Sequence, residues 1–503
     1  MNHSTKGIIR EQHDMNCTGM FSKIKGLYQR QNSMARASLW AFTASIVQKG
    51  MNVLATPVFT RLLTTEQYAQ YTLYQSWHDI FIIFSSLNLF NYCVMTALTE
   101  FEEDRESFIA SAQTLITGLT TACFALYCVI HILAGNVLGF SLPVMALMFL
   151  DLLFFASFNL WAAQERYFFR YKLMTALSIL IGTMGPILGV AAVFLFPSKP
   201  GYGRIYAVAA VNIVVGLWAL LYNLSRSKAR FNLRYWKYIL AYCLPLIPHF
   251  LSSQILSRFD RIMINDMVSA SKAGIYSLAY SVSMLSIIVN DAILKPLVPW
   301  TYQTIRDKPN LNALKRNVNW LLLLVAGLNF LLILMAPEAV WIFATEEYYE
   351  AVYIIPAVSA SVFFMFLFNI FANIEYYYAE TKFVSCASVC AAVLNVVLNY
   401  VCITKFGYIA AGYTTLISYI AYSIGHYIFM GVVSKKHAGG YQYYDNRCIL
   451  MISFLFVAAS LLVIPTYQYP VIRYMLIAVV VIACIIKRRR IIQYLMQLKG
   501  NGV

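Results

Sequence analysis

The run from Pro245 to Arg261, PLIPHFLSSQILSRFDR, lies in a stretch otherwise apolar enough to cross a membrane, yet it carries His249, Arg258, Asp260 and Arg261. An ionisable side chain at bilayer depth costs at least about 2.5 to 3.5 kcal/mol on insertion scales, so three charges within four residues must face protein or water rather than lipid. A polar cavity is the economical explanation. The segment that follows, NDMVSASKAGIYSLAYS, is a short turn leading into the next apolar span, which makes a helical hairpin with the charges near its tip.

The rest of the chain supports a membrane reading. Its 503 residues have a mean hydropathy of +0.64 and only 12% are charged, against roughly a quarter in soluble domains. Stretches of about 20 apolar residues, the length a helix needs for a hydrocarbon core of about 30 Å, fall near 37–60, 72–98, 108–133, 141–163, 173–196 and 204–224. Eight more follow near 238–264, 273–300, 318–344, 350–378, 383–403, 408–433, 448–466 and 470–486. The expected fold is therefore all-α and polytopic, with about fourteen transmembrane helices. An N-lobe would occupy 37–224, a C-lobe 238–433 and an appended pair 448–486, between basic tails at 1–36 and 487–503.

The formal charge of +16 would suggest a nucleic-acid partner in a soluble chain; here topology accounts for it. With the N-terminus inside, 28 of the 38 Lys and Arg fall on the cytoplasmic side, six outside and four within spans, as the positive-inside rule requires. Both termini are thus expected in the cytoplasm, where the KRRR cluster Lys487–Arg490 would meet anionic headgroups. The first 36 residues lack the early apolar core of a cleavable signal peptide. The loop EFEEDRE at 100–106 is acidic although this map places it inside.

Ten cysteines are scattered without CxxC spacing, so neither a disulfide nor a metal is expected. External loops of about a dozen residues at most leave no room for an extramembrane catalytic domain, and GxxxxGK, HExxH and GxSxG are absent. The chain reads as a transporter without cofactors rather than an enzyme.

The charges within spans are the candidate site. Lys49, mid-span and on a face with Ser45, Gln48, Asn52 and Thr56, needs a water-filled cavity, an anionic ligand or an acidic partner. Arg258 and Arg261 are three apart and share a helical face, and Arg retains its charge and grips phosphate with a fork of donors; alternatively one of them pairs with Asp260. Asp291 and Lys295 have the i,i+4 spacing of an intrahelical pair, with Lys295 also a candidate anion contact. His249, His78, Asp79, Asp151, Asp260 and Glu375 could couple to H+ or Na+ or serve in structural pairing, Glu375 being close enough to a cytoplasmic end to reach water.

Setting EQYAQYTLYQS (66–76) against SKAGIYSLAYS (271–281), an offset of 205, matches Tyr71 with Tyr276, Leu73 with Leu278 and Ser76 with Ser281. Both segments follow the first span of a six-span block, which suggests two lobes related by a parallel repeat.

PLIPHFLSSQILSRFDRIMINDMVSASKAGIYSLAYS resembles the seventh-span signature of the Wzx-like polysaccharide flippases of the multidrug/oligosaccharidyl-lipid/polysaccharide exporter superfamily. The likeness extends to TRLLTTEQYAQYTLYQS, GYGRIYAVAAVN and FGYIAAGYTTLIS. The resemblance implies two six-helix lobes around a cavity that opens to each side in turn, in the inner membrane of a bacterium. It implies a polyprenyl-diphosphate-linked oligosaccharide as substrate, for O-antigen, capsule or exopolysaccharide assembly, and a polysaccharide polymerase with chain-length machinery as partners. On that reading Lys49, Arg258 and Arg261 hold the diphosphate. A cation-coupled multidrug antiporter of the same superfamily is the alternative, and a glycan polymerase or ligase a more distant one.

Overall fold

The computed structural model describes residues 33–227, 230–307 and 311–486. The basic tails, including Lys487–Arg490, lie outside the described residues. Helices account for nearly all of the rest: α1 Ser33–Leu62, α2 Thr65–Ser86, α3 Cys93–Glu100, α4 Arg105–Ala134, α5 Leu142–Tyr167, α6 Tyr171–Leu195 and α7 Pro200–Ser225. They continue as α8 Leu233–Met267, α9 Ala270–Asp307, α10 Leu311–Leu334, α11 Ala336–Phe343, α12 Ile355–Tyr377, α13 Thr381–Phe406, α14 Ala410–Ala438, α15 Asn446–Leu462 and α16 Pro470–Ile486. Among the described residues, 11 helical stretches are long and apolar enough to cross a membrane. The protein is an all-α polytopic membrane protein.

Both boundaries of the second span differ from the hydropathy reading. The second span begins at Thr65, because the Thr64 hydroxyl accepts from the Gln67 amide while the Gln67 side chain accepts from the Thr64 amide, a reciprocal cap that starts a helix wherever an apolar face follows. It then stops at Ser86: Leu87 and Asn88 take left-handed backbone angles, φ 54° and 48°, and the chain restarts as α3. Hydropathy averages over such a break because both sides are apolar.

Packing within 33–227 centres on α7, which lies against α5 and α6, with α1 against α6; within 233–486 it centres on α14, against α12 and α13. Gly216 lets α7 approach α5 until the Phe154 carbonyl occupies the space a Cβ would need. Small residues supply such contact in a solvent where burial of apolar surface gains little. The helix α15 lies against α10 and α12, and α16 against α10.

The main connection between the two halves is the seam of α2 with α9. Hydroxyls tie it along its length: Thr65 Oγ1 to Ser271 Oγ at 2.8 Å, Ser277 Oγ to Thr72 Oγ1 at 3.0 Å and Tyr68 OH to Ser281 Oγ at 3.2 Å. Beside its first bond, the helical turn at Gly274 has the Thr65 carbonyl where a Cβ would stand.

Outside the helical spans, Glu350 accepts hydrogen bonds from Lys272 and Tyr408, which hold its carboxyl below the usual carboxylate range. A lowered folded-state value stabilises above the unfolded carboxylate pKa and is lost as pH falls through the folded value. This exposed tie is worth no more than about 1 kcal/mol, so Glu350→Gln is expected to shift acid unfolding slightly while changing the unfolding free energy at neutral pH by no more than about 1 kcal/mol.

A cationic cavity between the two halves as candidate functional site

The helix α8 is not a regular helix. Pro245 and Pro248 lack the N–H that an α-helix needs, and the chain tightens into a 3-10 turn at Leu244–Leu246 before α-helix resumes at Ile247. A π turn follows at Ile255–Phe259. Such turns insert an extra residue and re-aim side chains, and they concentrate at functional sites. Arg258 sits in this one, and α-helix resumes at Asp260.

The result is a cavity of about 130 Å³ between the halves. Asn52 and Thr56 of α1, Tyr68, Tyr71, Thr72 and Gln75 of α2, and Ser277, Tyr280 and Ser281 of α9 line it, together with Arg204, Arg258 and Arg261. No carboxylate is among its lining residues. It has room for a small anionic group but not for an oligosaccharide.

Two of its cations are unusually deep. The Arg204 residue is 5% exposed and its guanidinium is sandwiched 3.9 Å from the Phe59 ring centroid and 3.7 Å from that of Tyr71. Its Nε and Nη1 find no hydrogen-bond partner among the described residues. The Arg261 residue is also 5% exposed; it donates from Nη1 to the Ser257 carbonyl at 3.2 Å and stands 4.5 Å over Tyr280, while its Nε is unpartnered. Each orphaned donor costs about 1 to 3 kcal/mol, and a buried charge costs more unless something pairs with it. Donors left in this way are able to bind the oxygens of an anion.

The other candidates are placed as follows. Arg258 donates from Nη2 to Asp79 Oδ2 at 2.8 Å, across the two halves. The Lys49 ammonium pairs with the Asp291 carboxylate, also across the halves, and does not line the cavity. Of the three options for Lys49 the acidic partner is what the structure holds, and Asp291 receives this cation from α1. The Lys295 residue is exposed, one turn beyond Asp291. Because the pair is half-exposed, we expect a double-mutant cycle of Lys49→Met and Asp291→Leu to return a coupling of about 1 kcal/mol, read from thermal unfolding in detergent.

Asp260, 1% exposed, is no partner for water: it accepts from Tyr276 OH at 2.7 Å, Asn399 Nδ2 at 2.6 Å and Thr415 Oγ1 at 2.8 Å. Asp151, also 1% exposed, accepts from Tyr74 OH at 3.1 Å and Asn212 Nδ2 at 2.8 Å. The His249 ring shares a hydrogen bond with Ser388 at 3.1 Å. Glu375 does not reach water; it is fully buried against His426, 2.8 Å away, because α14 covers the end of α12.

Sequence reasoning missed Arg204. The hydropathy map leaves it among the six outside charges because its sixth span starts at that position, whereas α7 begins at Pro200 and carries it one turn inside. The motif GYGRIYAVAAVN did contain the signal: a charge flanked by Gly and Tyr at a helix start. Its two aromatic walls come from α1 and α2 and are invisible in that motif.

A family model described as polysaccharide biosynthesis protein matches residues 34–305. In Haemophilus influenzae, the Lsg locus putative protein 1 is 25% identical over 225 residues, 42% of this chain and 54% of that protein, so the chain spans about half the length of this curated relative. Among solved structures, the lipid II flippase MurJ in an inward closed conformation superposes with a TM-score of 0.66 at 14% identity, over 90% of this chain and 99% of that one. An inward-facing multidrug resistance MATE family transporter of the MOP superfamily gives 0.59 at 13% identity, over 78% and 96%. These likenesses establish that the chain shares the fold of these two structures.

Proposed function

The chain belongs to the polysaccharide biosynthesis protein family, and from that premise we propose that it is a flippase. It moves polyprenyl-diphosphate-linked oligosaccharide repeat units from the cytoplasmic to the outer leaflet of the inner membrane. The observation that carries this reading is the cavity with three arginines, two of them buried with unpartnered donors, and no lining carboxylate. A diphosphate supplies the oxygens those donors lack, and guanidinium forks fit it.

In this mechanism Arg204, Arg258 and Arg261 hold the diphosphate, Lys295 contributes positive potential along α9, and the polyprenyl tail stays in lipid between two lobes. The lobes are residues 37–224 and 238–433, six helices each, with two further helices at 448–486 and both termini cytoplasmic, fourteen spans in all. Support for a repeat comes from Thr72 and Ser277, bonded to each other and separated by the 205 residues of the sequence offset. Residues at equivalent positions meet where a two-fold axis passes. Further support comes from two matching turns: Phe169 and Ala379 are both left-handed, and Arg170 N–H to the Glu165 carbonyl repeats in Glu380 N–H to the Glu375 carbonyl.

Rocking of the lobes then opens the α2–α9 seam and releases the headgroup. A proton or sodium gradient would power the return, and a polymerase with its chain-length machinery would take the product. A multidrug antiporter exporting organic cations is the second reading, and a cavity without carboxylates is the wrong one for its substrate.

The test is outer-leaflet accessibility of the lipid-linked repeat unit in cells depleted of this protein. Depletion is expected to trap the glycan inside, and an Arg204, Arg258, Arg261 triple Met variant at normal abundance is expected to fail in rescue. Normal external glycan under complete depletion, without a redundant exporter, would sink the reading.

A further inference from the structure

We propose that His78 is a positioning residue for the anion site: acting through Asp79, its proton sets how firmly Arg258 is held away from a ligand. This rests on the diphosphate reading of the cavity.

The His78 residue is 7% exposed. Its Nδ1 lies 3.7 Å from Asp79 Oδ1 and its Nε2 lies 3.8 Å from Asp151 Oδ2. Those separations suit an ion pair but exceed a hydrogen bond, and Nε2 is buried without a hydrogen-bond partner. The imidazole therefore stands between two carboxylates with a nitrogen uncommitted. Asp151 already serves Tyr74 and Asn212, which fixes one wall. Asp79 faces two ways: Oδ1 towards His78, and Oδ2 on Arg258 at 2.8 Å. The titratable and charged groups facing the ring are Tyr74 and Asp79 on α2, Asp151 on α5 and Arg258 on α8.

Protonation takes a proton from water onto the free imidazole nitrogen and adds one positive charge; deprotonation returns it to water. The imidazolium draws Asp79 towards itself and so loosens its hold on Arg258. The added charge also raises the potential beside the cavity. Both effects favour an anion, so affinity rises as pH falls and weakens as the Asp79–Arg258 pair recovers the whole carboxylate. The fully neutral ring leaves Asp79 to compete with the ligand for Arg258.

The experiment measures binding of farnesyl-diphospho-N-acetylglucosamine to the purified full chain. As a diphosphate diester it has no proton to lose near neutrality, so its own charge is constant. From about pH 8 to about pH 6, across the ordinary imidazole range, we expect affinity to rise about fivefold to tenfold. Replacement His78→Asn should flatten that profile at the high-pH level. Asp79→Asn, which frees Arg258 permanently, should bind more tightly than the unmodified chain at pH 8 and show at most a remnant of the dependence. If the unmodified chain and both variants share one profile, or if His78→Asn weakens binding equally at every pH, the proposal is wrong while the diphosphate site stands. No binding by any of them at any pH would remove the site itself, and this inference with it.

Discussion

Replacing Arg204 or Arg261 with methionine is expected to weaken diphosphate binding and transport by about 30-fold to 5,000-fold, the roughly 2 to 5 kcal/mol that a desolvated charge pair loses when one partner is truncated. Unfolding stability should stay within about 2 kcal/mol or rise, because a buried charge with orphaned donors is replaced by an apolar side chain of similar length. Opposing that gain is the loss of the stacking of Arg204 on Phe59 and Tyr71, worth up to about 2 kcal/mol when desolvated. The pairing of outcomes is what decides. If these arginines were structural, binding and thermal stability would fall together; if they serve an anion, binding falls alone. Thermal unfolding in detergent and ligand binding on the same preparation distinguish the two.

At Gly274 a leucine should block closure of the α2–α9 seam. A side chain there runs into the Thr65 carbonyl, and that carbonyl cannot step aside cheaply, since the reciprocal Thr64–Gln67 cap fixes the first turn of α2. Packed interfaces respond to such a clash by adopting their other arrangement rather than by deforming gradually. We expect transport to fall at least about tenfold, with Gly274→Ala intermediate, and a cysteine placed at Thr72 in a cysteine-free background to react faster with an impermeant maleimide. A leucine variant that transports normally and leaves Thr72→Cys protected would show that the seam does not gate.

The all-α membrane class and most helix positions were legible because burial in lipid demands long apolar runs whatever the fold, and the hairpin around Arg258 was legible because charge at bilayer depth must have a reason. At the offset of 205, Thr72 and Ser277 are hydrogen-bonded across the α2–α9 seam. Hydropathy could not see the break at Leu87 and Asn88, where φ and not polarity ends the helix.

Within the site, residue type announced Arg258 and Arg261 as special, and nothing local could say which acid each cation would meet. Lys49 found Asp291 and Arg258 found Asp79 across 242 and 179 positions of chain, pairings set by how α1, α2, α8 and α9 pack. Arg204 became a site residue only because α1 and α2 bring Phe59 and Tyr71 to its two faces. The sequence by itself thus determined that the chain lies in a membrane and must shelter charge. The tertiary structure alone decided which charges are neutralised by the protein and which are left with donors to offer, because that depends on distances between helices far apart in the chain.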